Sequence, residues 1–359
     1  MKHTGINLIN HQNPTVTDPK KGEVFGHLST IVTAKKILSE VMKFRRVPGI
    51  GESCSSSDCQ ECMSLHLPKI VSAIQKGNPI SFVLPAFPGK SPNLEKVLGP
   101  LPDYAERLSL RFLANLSRNI KKYYSPGAKI ILCSDGRVFS DVIGMRESNV
   151  TAYQDELSRI IEETSIVEVS TFNLDDCFVD VDFVDMRYKL MNYYGNSLEY
   201  LKNKVRNGTN FSATPEEQEA NRMYRGITRF LFEDSMYSGQ KKSRSAIQRE
   251  SKTKAYEVIR RSNAWSELIA ERFPEAVRLS IHPQTCGSKK IGIRLIGNEN
   301  WMTPWHGVAV ETDLGFSLLK RYEAEALGAE LVYSRNGRPS HYKLKAGKSI
   351  GVEEAEHEL

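Results

Sequence analysis

An α/β fold on a mostly parallel sheet, with a helical insertion, is predicted by three observations in this 359-residue chain. Short apolar runs alternate with helical patterns over residues 65–170, residues 182–273 are helical in spacing almost throughout, and strand-like runs return after residue 276. Short, continuously apolar strands separated by helices imply parallel pairing, with helices covering the faces. The long helical stretch between the early and late strands reads as an insertion on that core.

The elements follow in order. A helical pattern covers Leu28 to Lys43, a polar Ser- and Cys-rich loop runs from Gly49 to Ser64, and Leu65 to Gln75 is a second helix. Ile80 to Leu84 is a strand. Pro102 opens a long helix, Asp103 to Tyr123, with Leu108, Phe112, Leu116 and Ile120 at helical spacing on one face. Gly127 marks a turn, and Lys129 to Cys133 is short and apolar enough for a buried strand. The loop Ser134-Asp135-Gly136-Arg137 follows, then a helix over Asn149 to Glu163 and a strand over Ile166 to Ser170. Asp182 to Phe273 is helical, with Thr214-Pro215-Glu216-Glu217 as a cap and first turn. Five strands are expected after it: Val277 to Ile281, Lys290 to Ile296, Val308 to Glu311, Leu331 to Ser334 and Tyr342 to Lys345. The organisation expected is an N-terminal extension over 1–69, one domain over 70–346 carrying the insertion at about 182–273, and a tail over 347–359.

Composition bounds the function only loosely. With 40% hydrophobic and 26% charged residues the chain is ordinary globular protein, and its net charge of +6 suits an anionic small molecule as well as nucleic acid. No run approaches the roughly 20 apolar residues of a membrane span. Residues 1–21 lack the apolar core of a signal peptide. Six cysteines are few and unevenly placed for a disulfide scaffold. The expectation is a cytoplasmic protein with no membrane partner.

The first chemical question lies in SFVLPAFPGKSPN, residues 81–93, which ends an apolar strand in Gly89-Lys90-Ser91. A nucleotide P-loop needs a glycine five residues before Gly89, and Leu84 stands there. Pro85 and Pro88 lack the N–H groups that such a loop turns toward phosphate, and Pro92 blocks the helix that should follow. The ATP reading fails. What remains is a stiff loop at the carboxyl end of a strand, where open α/β sheets bind ligands, presenting Lys90, Ser91 and Asn93. The plain alternative is a surface turn with a solvated lysine.

ILCSDGRVFSD (Ile131 to Asp141) repeats that layout, offering Ser134, Asp135 and Arg137 beside a glycine that permits close approach. By itself it could be an Asp-Gly turn. Two polar loops after consecutive strands favour one shared pocket. RLSIHP (Arg278 to Pro283) and TPWHGV (Thr303 to Val308) add Arg278, His282, Trp305 and His306. Histidine moves protons near neutral pH, although a lone histidine is more often structural and a tryptophan more often core.

Taken together, LPAFPGKSPN, KVLGPLPDYAE, YYSPGAKIILCSDGRVFSD, RLSIHP and TPWH resemble the isocyanide (isonitrile) synthase family, which includes the pyoverdine/paerucumarin-type and dityrosine-biosynthesis synthases. The resemblance runs from about Ile70 to about Glu311 with the motifs in register. It implies a Rossmann-like enzyme that converts the amine of L-tyrosine or L-tryptophan to an isonitrile, taking the added carbon from the carbonyl carbon of ribulose 5-phosphate. It implies no cofactor. It also implies a separate iron/2-oxoglutarate oxygenase acting on the product; the chain has no His-x-Asp to begin that enzyme's ligand triad.

The residue types suit this chemistry, which needs proton transfers and oxyanion stabilisation rather than redox steps. Lys90 with Ser91 is expected to hold phosphate or a sugar hydroxyl, Asp135 and Arg137 to orient substrates, Arg278 to pair an anion, and Trp305 to stack on the ring. His282 leads His306 as general acid/base. A Lys90 Schiff base ranks below direct attack by the substrate amine. Tyrosine is favoured on the resemblance to the paerucumarin type.

Two signals stand apart. Lys241 to Arg261 carries eight basic and two acidic residues. It reads as a solvated helix, as a nucleic-acid contact poor in stacking aromatics, or, as the family suggests, as a helix whose start (Arg244, Ser245) completes a phosphate site. Cys54, Cys59, Cys62 and His66, spaced C-x4-C-x2-C-x3-H, could make a structural zinc site, although thiols in a reduced compartment are often unligated. The alternatives to an isonitrile synthase are a basic nucleic-acid-binding protein and another sugar-phosphate lyase.

Overall fold

The computed structural model describes residues 19–47, 59–297 and 302–345, with side chains from Leu28 onward. Cys54 and the 347–359 tail lie outside the described residues.

Two helices lead, α1 (Pro19–Met42) and α2 (Gln60–Gln75). The core follows as β1 (Ile80–Pro85), α3 (Tyr104–Lys121), β2 (Ala128–Cys133), α4 (Gly136–Ile143), α5 (Glu147–Glu163) and β3 (Val169–Phe172). The helical insertion comprises α6 (Phe183–Tyr194), α7 (Leu198–Asn207), α8 (Pro215–Ser235) and α9 (Arg244–Arg272). Then come β4 (Val277–Ser280) and β5 (Ile291–Gly292), completing a five-stranded sheet in the order β3-β2-β1-β4-β5 with every pair parallel. That is the strand order of a doubly wound sheet.

Period-two alternation divides the strands between two cores. Phe82, Leu84, Ile130 and Leu132 pack with residues of α1, α2, α3 and α5, such as Ile37, Leu38, Ile70 and Leu113. Val83 and Cys133 face the other way, into a core built by α4 and the insertion, with Trp265 and Leu268. The Trp265 indole donates to the Cys133 carbonyl at 3.2 Å, which ties α9 to the carboxyl end of β2. The leading helices thus share the sheet's own core.

Several expectations shift. The last strands do not extend the parallel sheet: β6 (Val308–Thr312), β7 (Gly315–Leu319), β8 (Glu330–Tyr333) and β9 (Pro339–Lys343) form a separate mixed sheet, order β7-β6-β9-β8, with α10 (Arg321–Ala326) between β7 and β8. Residues 313 and 314 alone link β6 to β7, so close a link allows only antiparallel pairing, and Gly315 sits at φ +112° beside it. The β3 strand starts three residues later than expected, because Ile166 closes the helix stop: its amide donates to the Ile161 carbonyl past Ser165 at φ +52°. Of Lys290–Ile296, only Ile291 and Gly292 are strand. The buried stripe of α3 runs through Leu110, Leu113, Ala114 and Ile120 rather than through Leu108 and Phe112, which are half-buried. The Thr214 cap forms as expected, with the Thr214 hydroxyl accepting from the Glu217 amide and the Glu217 carboxylate accepting from the Thr214 amide.

Candidate active site

In the order β3-β2-β1-β4-β5 the chain winds one way from β1 and the other way from β4, so the loops after β1 and β4 flank the sheet's switch point. The loop after β1 carries Lys90, the loop after β4 carries His282, and Asp135 follows β2 next door.

The loop after β1 is held rigidly. Phe87, fully buried, takes φ +60°, a left-handed conformation that costs a β-carbon-bearing residue about 1–2 kcal/mol. Its ring packs at 5.4 Å from Trp305, and the Ser91 amide donates to the Trp305 carbonyl at 2.8 Å. Its carbonyl accepts from the Ser134 hydroxyl at 2.8 Å. At Gly136 a β-carbon would run into the Pro88 carbonyl. Three of the four motif loops therefore meet, and glycine at 136 is what allows the closest contact.

Lys90 is neither a solvated lysine nor a free clamp. Its ammonium is buried, 2.8 Å from Asp103 Oδ2, 2.9 Å from Glu106 Oε2, and donates to the Pro304 carbonyl at 2.9 Å. Burial alone would lower its pKa, but the Asp103 and Glu106 carboxylates outweigh that and hold it above its ordinary value. Glu106 goes up to about 7: burial is the first cause, the Lys90 ammonium opposes it without cancelling it, and Asp103 adds repulsion. Glu106 also accepts from the Tyr153 hydroxyl at 3.2 Å.

Other expected ligand contacts are likewise committed inside the protein. Ser91 donates to Asp234 at 2.8 Å, and Asn93 donates to the Glu233 and Met236 carbonyls at the end of α8. Ser134–Arg137 is not simply a loop, because α4 begins at Gly136. Arg137 is buried against Glu147 (3.0 Å), Asp175 (3.4 Å) and the Phe183 ring (3.9 Å). Trp305, 3% exposed, is core. Arg244 and Ser245 are exposed at the start of α9, about 33 Å along that helix from Ser266, where Arg278 is bound, so they cannot complete a site with Arg278.

Three groups remain poised. Asp135 is the N-cap residue of α4 yet makes no capping bond, and its buried Oδ1 has no hydrogen-bond partner. Burial pushes its carboxyl up to about 7, with its own backbone amide opposing. His282 is reached by solvent yet ringed closely enough that burial, then Arg46 and Lys290, hold it down to about 4. His306 is also held down to about 4, chiefly by burial, and its buried Nδ1 faces Asp234 at 3.8 Å, beyond a hydrogen bond. Both histidines are neutral at pH 7.

Beside these stands a cationic cluster whose members do not group by sequence position. Arg278 lies within β4 and donates to Ser266 of α9. Lys290, half-buried, has no side-chain hydrogen bond or ion pair among the described residues. Burial and then Arg278 depress it, and Glu219 and Glu267 offset this from beyond pairing distance. Burial and then Arg278 likewise depress Lys69, whose ammonium donates to the Ala276 carbonyl. Lysines depressed by a neighbouring guanidinium are an arrangement that an anion relieves.

The metal expectation changes its members. His66 is buried and hydrogen-bonded to the Ser288 backbone, held down to about 4 by that burial. The thiols that Cys59 and Cys62 meet include Cys286.

The profile of the family described as pyoverdine/dityrosine biosynthesis protein matches residues 70–332. The chain belongs to this isocyanide synthase family. It is 44% identical over 312 residues to the L-tryptophan isonitrile synthase AmbI2 of Fischerella ambigua, covering 87% of this chain and 92% of that protein. It is 44% identical over 318 residues to an L-tyrosine isonitrile synthase of Pseudomonas aeruginosa, covering 87% and 94%. The crystal structure of PvcA from Pseudomonas aeruginosa matches with a TM-score of 0.79 at 43% identity, over 87% of this chain and all of that one. Among the family member's own features, Glu106, Tyr153, Lys290 and Lys69 escaped sequence reasoning. All four sit on helices or turns whose inward side is decided by tertiary packing.

Proposed function

We propose that the protein is an aromatic L-amino acid isonitrile synthase that uses ribulose 5-phosphate as carbon donor, in the cytoplasm, and that a separate iron/2-oxoglutarate oxygenase acts on its product. The observation that supports this is the buried, unpartnered Asp135 Oδ1 at the carboxyl end of β2, on the same sheet of a family member that carries the cations Arg278 in β4 and Lys290 in the turn after it. Relatives named for tryptophan and for tyrosine stand at the same 44% identity. Tyrosine therefore rests on motif resemblance alone, and both amino acids enter the test.

The substrate amine attacks the sugar's C2 carbonyl, and water leaves to form an imine. Both carbon–carbon bonds to that carbon then break: one neighbour loses its hydroxyl proton and departs as an aldehyde, leaving its bonding pair on the carbon, and the other departs with its bonding pair and takes up a proton, so that the carbon stays on nitrogen as the isonitrile. In this reading Lys290 and Arg278 receive the phosphate or the amino acid's carboxylate. Asp135, with a pKa close to the working pH, takes protons from the amine and returns them to the departing hydroxyl. His282, neutral at pH 7, serves as the second acid/base. Lys90, Ser91, Asn93, Arg137 and Trp305 build the loops that hold Asp135, and His306 lies behind them.

The nucleic-acid alternative draws little from α9. Ile247, Ala255 and Val258 bury one face, and its cations pair internally, as Lys254 does with Glu250 (3.0 Å) and Arg261 with Glu257 (3.0 Å). The test is incubation with L-tyrosine, L-tryptophan and ribulose 5-phosphate labelled at its carbonyl carbon, followed by mass spectrometry. A labelled isonitrile from one amino acid is the expected result. Sugar consumption that needs no amino acid would make the protein a different sugar-phosphate lyase.

A further inference from the structure

We propose that Cys59, Cys62 and Cys286 are thiolate ligands of a zinc ion that clips the start of α2 to the turn after β4. The three sulfurs lie within 4.8 Å of one another. Cys286 Sγ is 3.5 Å from Cys59 Sγ and 3.8 Å from Cys62 Sγ. Two sulfurs each about 2.3 Å from a tetrahedral zinc are separated by about 3.8 Å. A disulfide would bring two of them to about 2.05 Å. The spacing matches a shared cation and not a covalent bond.

Polar and charged groups surround the three sulfurs. Cys59 is the N-cap of α2 and Cys62 lies in its first turn, where the helix's exposed amides and dipole stabilise negative charge. The Arg45 guanidinium reaches Cys62 Sγ at 3.5 Å, a cation placed beside the ligand shell. Three thiolates, one Zn²⁺ and Arg45 sum to zero charge, and the Glu61 carboxylate beside Cys286 adds one negative charge. Across the cluster Cys286 is followed by Gly287 at φ +71°, a turn that a side chain would strain and whose β-carbon would meet Glu61 Oε1 at 2.5 Å. Glu61 Oε2 is 3.2 Å from Cys286 Sγ. Its carboxylate is an oxygen donor at hand for the fourth position.

The ligands come from segments more than 220 residues apart in sequence. Spacing alone therefore pointed to a local Cys/His set and could not find Cys286. The clip lies four residues after His282 and four before Lys290. It is structural, and it holds the turn that carries both.

The experiment is elemental analysis of the full-length protein, purified under reduction without chelators and passed through metal-free buffer. We expect about one zinc per chain, and a Cys286→Ser protein that loses most of it. Cobalt added to the metal-free protein should give the intense near-ultraviolet absorption of thiolate-to-cobalt charge transfer. Should Cys286→Ser not fold, thiol alkylation of the wild-type protein replaces it: zinc should protect Cys59, Cys62 and Cys286 together, and a chelator should expose them together. Folded, reduced protein that retains no zinc after incubation with the ion overturns the proposal. So does zinc that persists in folded Cys286→Ser, or copper in its place.

Discussion

The Lys90 ammonium lies 2.9 Å from the Glu106 carboxylate, with both side chains fully buried. Burial pushes Glu106 up to about 7 against the attraction of Lys90, with Asp103 adding repulsion, while the two carboxylates keep Lys90 charged. Removing the lysine leaves buried carboxylates without a counter-ion, a loss of about 3–5 kcal/mol. Lys90→Ala is expected to lower the unfolding midpoint in denaturant accordingly, with the slope unchanged. The same pairing keeps the amine protonated and non-nucleophilic. Borohydride added during turnover should leave no sugar on Lys90, as peptide mass spectrometry would show; a sugar found there would restore the Schiff-base route.

Asp135 carries the opposite balance. Its folded-state pKa of about 7 stands above the unfolded value near 4, so both states are protonated at the lowest pH and the site is then neutral in its effect. As pH rises through 4 to 7 the unfolded state ionises first, and folded stability falls by up to about 4 kcal/mol before levelling above 7. Asp135→Asn should therefore be more stable than the parent at pH 8, indistinguishable at pH 4, and inactive at both. Thermal melts at the two pH values read the first two outcomes. A variant that is destabilised at pH 8 and still turns over would make Asp135 a structural cap.

The parts of this site that were legible in the sequence are the parts that are local. The apolar runs ending at Pro85 and Cys133, and the prolines that exclude a P-loop, depend on neighbours a few residues away. The environment of Lys90 does not: Asp103, Glu106 and Pro304 reach it from α3 and from 214 residues downstream. Ser-Lys-Lys at 288–290 reads as a solvated turn until Arg278 is placed beside it. Trp305 and Arg137 carry the right chemistry for ligands, yet the fold spends them on a core ring pair and on Glu147 and Asp175.

Lys290 and Arg278 make a prediction about binding. Lys290→Ala removes a cation with no side-chain hydrogen bond or ion pair among the described residues, so folding should be nearly unaffected. The KM for ribulose 5-phosphate should rise about 10- to 100-fold, the scale of one charge-assisted contact of 1.5–3 kcal/mol. Thermal stabilisation of the parent by millimolar inorganic phosphate should vanish in the variant. A changed KM for the amino acid alone would assign the cation pair to the carboxylate instead.

Gly136 tests whether the loops act as one unit. A methyl at this position meets the Pro88 carbonyl, and backbone cannot move aside as a flexible side chain can. Gly136→Ala should push the loop after β1 away from α4, cost about 1–3 kcal/mol as overpacking does, and displace Asp135 with it. Turnover should then fall about 100-fold with little change in substrate KM, since a shift of about 1 Å in a proton-transfer group costs that much. The discriminating measurement is the pair of constants. A stability loss with kcat intact would mean that the contact between the loops braces the fold without aiming Asp135.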